Sequence, residues 1–221
     1  MKDPQIRKAE NENKIRALGA AVNKHLPLVE SSNEVILKSL DEICERTVAA
    51  MLTIQIAIDS GKGEYDESVK FMGGLIDKFG VKGSLNKMEL KVFEGKSTPQ
   101  ENVNVIWEYE CCWSLFWTLG LIDGERVESA GEICDCNTMI SLINDCSGME
   151  EFKSKCRFRD IEEILDMLDL FYRFHWICTD NRIRPKTPVG GLNEEIVMER
   201  RRGLEWLVSE EEDWFDISLD T

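Results

Sequence analysis

Asp160–Thr221 reads DIEEILDMLDLFYRFHWICTDNRIRPKTPVGGLNEEIVMERRRGLEWLVSEEEDWFDISLDT, and the fold can be worked outward from it. Asp160-x-x-Glu163 is the acidic form of a capping box, so a helix opens there and runs to about Arg182. At about 100° per residue, Ile161, Leu165, Leu168, Tyr172 and Thr179 share one arc, with His175 beside it. Met167, Leu170, Phe171, Phe174, Ile177 and Cys178 cover a second arc. A helix that is apolar on most of its circumference belongs in the middle of a domain.

Between those arcs runs a polar strip: Glu162, Asp169, Arg173, Trp176 and Asp180. A charge taken out of water must be paired. Asp169 and Arg173 are four residues apart and can pair along the helix, with Asp180 further down the same strip. Pro185, Pro188, Gly190 and Gly191 then force a loop, and Asn193 caps a last clear helix, Glu194–Val208. On that helix Ile196, Arg200, Gly203, Leu204 and Leu207 share a face, with Glu199 and Trp206 at its edge. Arg201, Arg202 and Glu205 are expected to point to solvent. In the final segment Trp214, Phe215, Ile217 and Leu219 stand among acids. That pattern predicts a tail folded back with Trp214 buried and Asp216 or Asp220 reaching an arginine, with Arg200, Arg182 and Arg46 the first candidates.

Upstream, helical signals recur. Ser31-x-x-Glu34 matches a capping box, and an apolar stripe from Leu37 through Val48 to Ile58 predicts a helix of about 25 residues behind it. Further helices are expected over Asp66–Phe79, Ser84–Phe93 and, behind Thr98-Pro99, to about Leu119. Asp135 or Asn137 and Ser147-x-x-Glu150 mark two short ones. No sustained strand alternation appears. The expectation is one all-α domain over residues 1–221, a helical bundle of about seven to nine helices with its central helix near 160–183. The loop at Gly80–Ser84 is the best place for a boundary, which would leave an N-terminal subdomain at 1–82. In the helix from Pro99, Glu110 sits among Cys111, Cys112, Trp113 and Leu115, a buried acceptor expected to seek Arg173 or Arg200.

Composition narrows the function classes. The 221 residues carry 27 Lys and Arg against 42 Asp and Glu, a net charge of −15. That charge opposes binding to nucleic acid and to anionic membranes, and suits a partner protein with a basic surface. The N-terminus lacks the apolar core of a signal peptide, and the longest apolar runs, near 48–58 and 111–122, are too short to span a bilayer. A cytoplasmic location follows as the expectation, with the eight Cys as reduced thiols. Cys134-x-Cys136 followed by Cys146 and Cys156 is a poor match to structural zinc, so no metal is assigned. No phosphate-binding or dinucleotide-binding glycine motif occurs, and no cofactor is assigned. The two histidines, His25 and His175, read as a loop residue and a core residue.

The segments W-E-Y-E-C-C-W-S-L-F-W-T-L-G-L-I-D (Trp107–Asp123), E-I-L-D-x-L-D-L-x-Y-R-F-H-W (Glu163–Trp176), E-R-R-R-G-L-E-W-L (Glu199–Leu207) and W-F-D-I-S-L-D-T (Trp214–Thr221) resemble a mainly bacterial family, domain of unknown function 4272. The resemblance covers almost the whole chain, including Arg16–Arg46. It implies a shared fold and brings no activity, substrate or catalytic residue. The family pattern leads one to expect a histidine after the Glu199-Arg200 pair, where this chain has Arg201.

Two functions fit. The first is a non-enzymatic interaction protein, either a regulatory partner or an immunity-type protein that neutralises a toxin. The alternative is a hydrolase or small-ligand enzyme built on a polar cluster of Arg173, His175, Asp180, Glu199 and Arg200, with Glu110 and Asp169 as its carboxylate partners. Full internal pairing of these groups favours the first; a deep cleft with unpaired polar groups favours the second.

Overall fold

The structure, a computed structural model, describes Met1–Thr221 and is all helical. Ten α-helices occur: α1 (Pro4–Ala17), α2 (Leu40–Gly61), α3 (Tyr65–Phe79), α4 (Lys87–Phe93), α5 (Pro99–Thr118), α6 (Gly124–Glu128), α7 (Cys136–Asn144), α8 (Met149–Lys155), α9 (Ile161–Ile183) and α10 (Glu194–Val208). Two single turns of 3₁₀ helix, Lys82–Ser84 and Trp214–Asp216, complete them. Contacts group the chain into two compact units, interleaved in sequence. The first comprises Met1–Lys38, Ile122–Ile133 and Arg159–Thr221; the second comprises Ser39–Leu121 and Cys134–Phe158. The Gly80–Ser84 loop lies inside the second unit.

In the first unit α9 is the central element. The Asp160–Glu163 capping box is formed, and the helix buries Ile164, Leu165, Leu168, Phe171 and Phe174. The Phe171 and Phe174 rings meet edge to face at 5.6 Å. α10 packs along one side of α9 and α1 along another. α1 has little apolar periodicity, which is why hydrophobic patterning does not reveal it. Its start is nevertheless written in the sequence: Asp3 caps it and Pro4 occupies the first turn, where a missing N–H costs nothing. Its buried residues are Arg7, Asn11, Glu12 and Ile15, so the buried stripe at spacing four is mostly polar.

In the second unit α2 is central, packed on α3, α5 and α8. Its start corrects the sequence expectation. Ser31 and Glu34 do bond, the Ser31 N–H donating to Glu34 Oε2 at 2.9 Å, but they close a turn and no helix follows. α2 begins at Leu40 behind a second capping box, Ser39 with Glu42. Just before it, in the first unit, the Lys38 N–H donates to the Leu207 carbonyl at 2.9 Å.

The tail folds back as expected. Trp214 is 1% exposed, and its ring meets Trp206 edge to face at 6.2 Å. The Trp206 indole N–H donates to the Glu212 carbonyl at 3.1 Å. Arg201 and Arg202, two arginines expected in solvent, hold the tail. Arg201 is only 4% exposed, because α9 and the tail cover that face of α10. It donates to the carbonyls of Leu219 and Asp220, both at 3.2 Å, while Arg202 lies over the Phe215 ring. Arg182 instead pairs with Glu194 at 3.0 Å, and Arg46 serves the second unit.

Candidate functional site

The polar strip of α9 is the seat of α1. Arg7, fully buried, donates from Nη2 to Glu162 at 2.9 Å and from Nε to Asp166 at 3.0 Å. Asn11 donates to the Asp169 carboxylate at 2.8 Å. Arg173 grips the same carboxylate with two bonds, Nη2 to Oδ1 at 2.6 Å and Nε to Oδ2 at 2.9 Å. A guanidinium fork matches a carboxylate in this way, and the pair lies fully out of water, Asp169 at 0% and Arg173 at 2%. Arg173 Nη2 also reaches the Pro27 carbonyl at 3.3 Å. Arg173 Nη1 and Glu12 Oε1 are buried without a hydrogen-bond partner, and both residues line one cavity of about 10 Å³, room for a single water.

His175 lies on the α10 side of α9. Its Nδ1 is 2.9 Å from Arg201 Nη1. A guanidinium only donates, so Nδ1 accepts and the ring is the neutral Nε2–H tautomer. Burial, then the Arg201 charge, push the imidazole down to about 4. Arg201 also pairs with Glu205 at 2.9 Å and stacks over Tyr172.

The other candidates take partners of their own. Asp180 accepts from Thr187 at 2.6 Å and pairs with Arg184, and the two, Thr187 foremost, hold its carboxyl below the usual range. Glu199 accepts from Arg202 at 2.9 Å. Arg200, 1% exposed, donates to the carbonyls of Val127, Ser129 and Glu132 at 2.7, 2.8 and 3.3 Å. A cation there suits the negative end of α6. In the second unit Glu110, 2% exposed, accepts the Cys134 N–H at 2.7 Å. The structure therefore brings Asp169 and Arg173 together, while His175, Asp180, Glu199 and Arg200 each answer to a different group.

A second buried ionic group went unnoticed in the sequence. Arg46 on α2 pairs with Glu89 on α4 and donates to the Ser84 carbonyl. Glu108 on α5 accepts from Asn86 at 3.0 Å through Oε1, while its buried Oε2 meets no donor and faces Glu89. Two carboxylates thus lie near one arginine, which favours the neutral form of the less well paired one. Burial first, then Glu89, push the Glu108 carboxyl well above its ordinary range. The signal was present as two acids and one arginine inside helical stretches, but pairing over 43 positions leaves no sequence period.

At the end of the strip, where α1 has run out, an open cleft of about 670 Å³ is lined by Ala21, Trp176, Asp180, Arg184, Pro185, Lys186, Thr187 and Pro188. No group of three or more His, Cys, Asp or Glu side chains is placed to hold a metal ion. No helix is long and apolar enough to cross a membrane.

Fold and site together define an all-helical protein whose interior charges are tied into internal pairs. The chain belongs to the family described as Domain of unknown function (DUF4272), whose model matches residues 7–217 of the 221. No curated protein and no solved structure matches it.

Proposed function

We propose that the protein is a non-enzymatic interaction or regulatory protein, of immunity type, that binds a partner with a basic surface. One observation carries this reading. All seven candidate side chains, from Glu110 to Arg200, are buried and each is engaged by an internal partner. A catalytic acid or base must instead reach substrate in a usable protonation state. His175 faces an arginine and stays neutral, so it serves as an acceptor that positions α10. The acidic surface supplies the recognition. Glu210, Glu211 and Glu212 stand exposed on the turn after α10, within a chain of net charge −15. Such a surface steers association with a cationic partner and is sensitive to salt.

Co-expression with the products of the neighbouring genes, followed by purification of any complex, tests this. Glu210, Glu211 and Glu212 changed together to Lys should weaken the complex, and added salt should weaken that of the unaltered protein. Turnover of ester or phosphoester substrates that disappears in His175→Ala or Asp180→Asn variants of native stability would overturn the reading.

The cleft beside Trp176 favours a second reading, binding of a small anionic molecule. Its volume lies in the range of small-ligand sites, and the Trp176 ring stands beside the exposed Arg184 and Lys186. Titration with inorganic phosphate and with nucleotides, followed by tryptophan fluorescence, tests it. Saturable quenching lost in Lys186→Ala supports this reading, and an unchanged spectrum at millimolar ligand ends it.

A further inference from the structure

Eight thiols are free, and six of them, Cys44, Cys111, Cys112, Cys134, Cys146 and Cys178, are buried. The two partly exposed ones, Cys136 and Cys156, each touch a buried thiol. Cys156 Sγ lies 3.9 Å from Cys44 Sγ, and Cys136 Sγ lies 3.7 Å from Cys134 Sγ. The pairs differ in their freedom to move. Cys134 and Cys136 straddle a tight turn in which the Cys136 N–H donates to the Cys134 carbonyl at 3.0 Å, and Cys136 opens α7. A disulfide there would close a small ring against that turn and store strain. Cys44 and Cys156 come from separate elements, the body of α2 and the residue just past α8. Cys156 is in extended conformation just past α8, with its N–H bonded to the Lys153 carbonyl and its Sγ 3.3 Å from the Phe152 carbonyl. One turn earlier on both helices, Lys153 and Asp41 pair at 2.8 Å and keep the two elements in register.

We propose that Cys44 and Cys156 form a dithiol modification site that closes to an intramolecular disulfide when the protein meets a low-molecular-weight disulfide. Cys156 is the attacking thiol, since it is the accessible one. The neighbouring Cys44 thiol, 3.9 Å away, is the leading cause that draws the Cys156 thiol below its ordinary range, which raises the share of thiolate. The thiolate attacks one sulfur of oxidised glutathione; that S–S bond breaks, and one glutathione leaves as thiolate and takes up the proton Cys156 released. The Cys44 thiol then gives up its proton and attacks the Cys156 sulfur of the mixed disulfide. The second glutathione departs and takes that proton. Two protein thiols are oxidised to one disulfide and one glutathione disulfide is reduced to two thiols. The sulfurs must close from 3.9 Å to about 2.05 Å for the bond to form. The new bond ties α2 to α8 across 112 positions and removes freedom from the unfolded chain.

The test uses the full-length protein, native and reduced, incubated with oxidised glutathione, blocked with alkylating reagent and digested without reductant for mass spectrometry. The expected result is a Cys44–Cys156 linked peptide short of two hydrogens, restored by a thiol reductant, with a raised thermal midpoint in the oxidised form. Cys44→Ser should stop at one glutathione on Cys156, and Cys156→Ser should leave Cys44 unmodified. If either variant fails to fold, the linkage map of the unaltered protein decides alone. Recovery of Cys44 and Cys156 as separate alkylated peptides, at a dose that oxidises a model dithiol, overturns the proposal. So does a map in which Cys134–Cys136 is linked and Cys44–Cys156 is not.

Discussion

Arg201 Nη1 stands 2.9 Å from Nδ1 of His175, and the same guanidinium reaches the carbonyls of Leu219 and Asp220. One side chain thereby ties the central helix to α10 and the C-terminal segment to both. Arg201→Ala should remove these bonds and leave the buried His175 ring without its donor, a loss of about 2–4 kcal/mol. Denaturant unfolding followed by tryptophan emission measures it, and an unchanged midpoint would show that the tail is held by its aromatic contacts alone.

The tail itself should be indispensable. Truncation after Ser209 deletes Trp214, 1% exposed, and uncovers Trp206. Removing a buried tryptophan costs about 3–5 kcal/mol. A truncated protein that is soluble and equally heat-stable would contradict the packing described.

Arg173→Ala should destabilise the first unit by about 3–5 kcal/mol, since Asp169, at 0% exposure, would be left with Asn11 as its side-chain partner. Asp169→Asn combined with Arg173→Ala should recover part of the loss. A double-mutant cycle with no coupling would show that the pair contributes nothing specific.

His175 makes stability depend on pH. Its native value of about 4 lies below the ordinary 6.5, so between those values the unfolded chain binds the proton and the folded chain does not. Stability should therefore fall as pH drops from about 6.5 towards 4, by about 1–2 kcal/mol once screening by solvent is discounted. Unfolding midpoints across that range for the native protein and His175→Gln measure it; parallel curves would refute the assignment.

Glu108 acts with the opposite sign. Its carboxyl is raised, so the folded chain holds a proton that the unfolded chain releases, and this contribution is lost as pH rises through the folded value. Glu108→Gln keeps the acceptor for Asn86 and supplies a donor towards Glu89 without a titration. The variant should fold and show a flatter decline of stability on the alkaline side. An unaltered slope would place the proton elsewhere.

The central helix was legible because its cause is local. A capping box at Asp160 and two apolar arcs on one helix repeat every turn, whatever packs against them. α5 and α10 were legible for the same reason, and so was Asp169–Arg173, whose spacing of four is set by helical geometry. Placing Trp214 in the interior followed from the cost of leaving adjacent aromatics in water.

Tertiary structure decided the rest. α1 buries Arg7, Asn11 and Glu12, and a helix with a charged buried face has no apolar period until the acids of α9 are set against it. Arg201 reads as a surface residue on its own helix and becomes a buried hub only because α9 and the tail converge on it. Both Ser31-x-x-Glu34 and Ser39-x-x-Glu42 read as capping boxes, and only the second opens α2. Local sequence sets propensities and periods within an element. The partner of a buried charge is chosen by packing between elements, so the seven candidate side chains could be named from sequence while the partners of all but Asp169 and Arg173 could not.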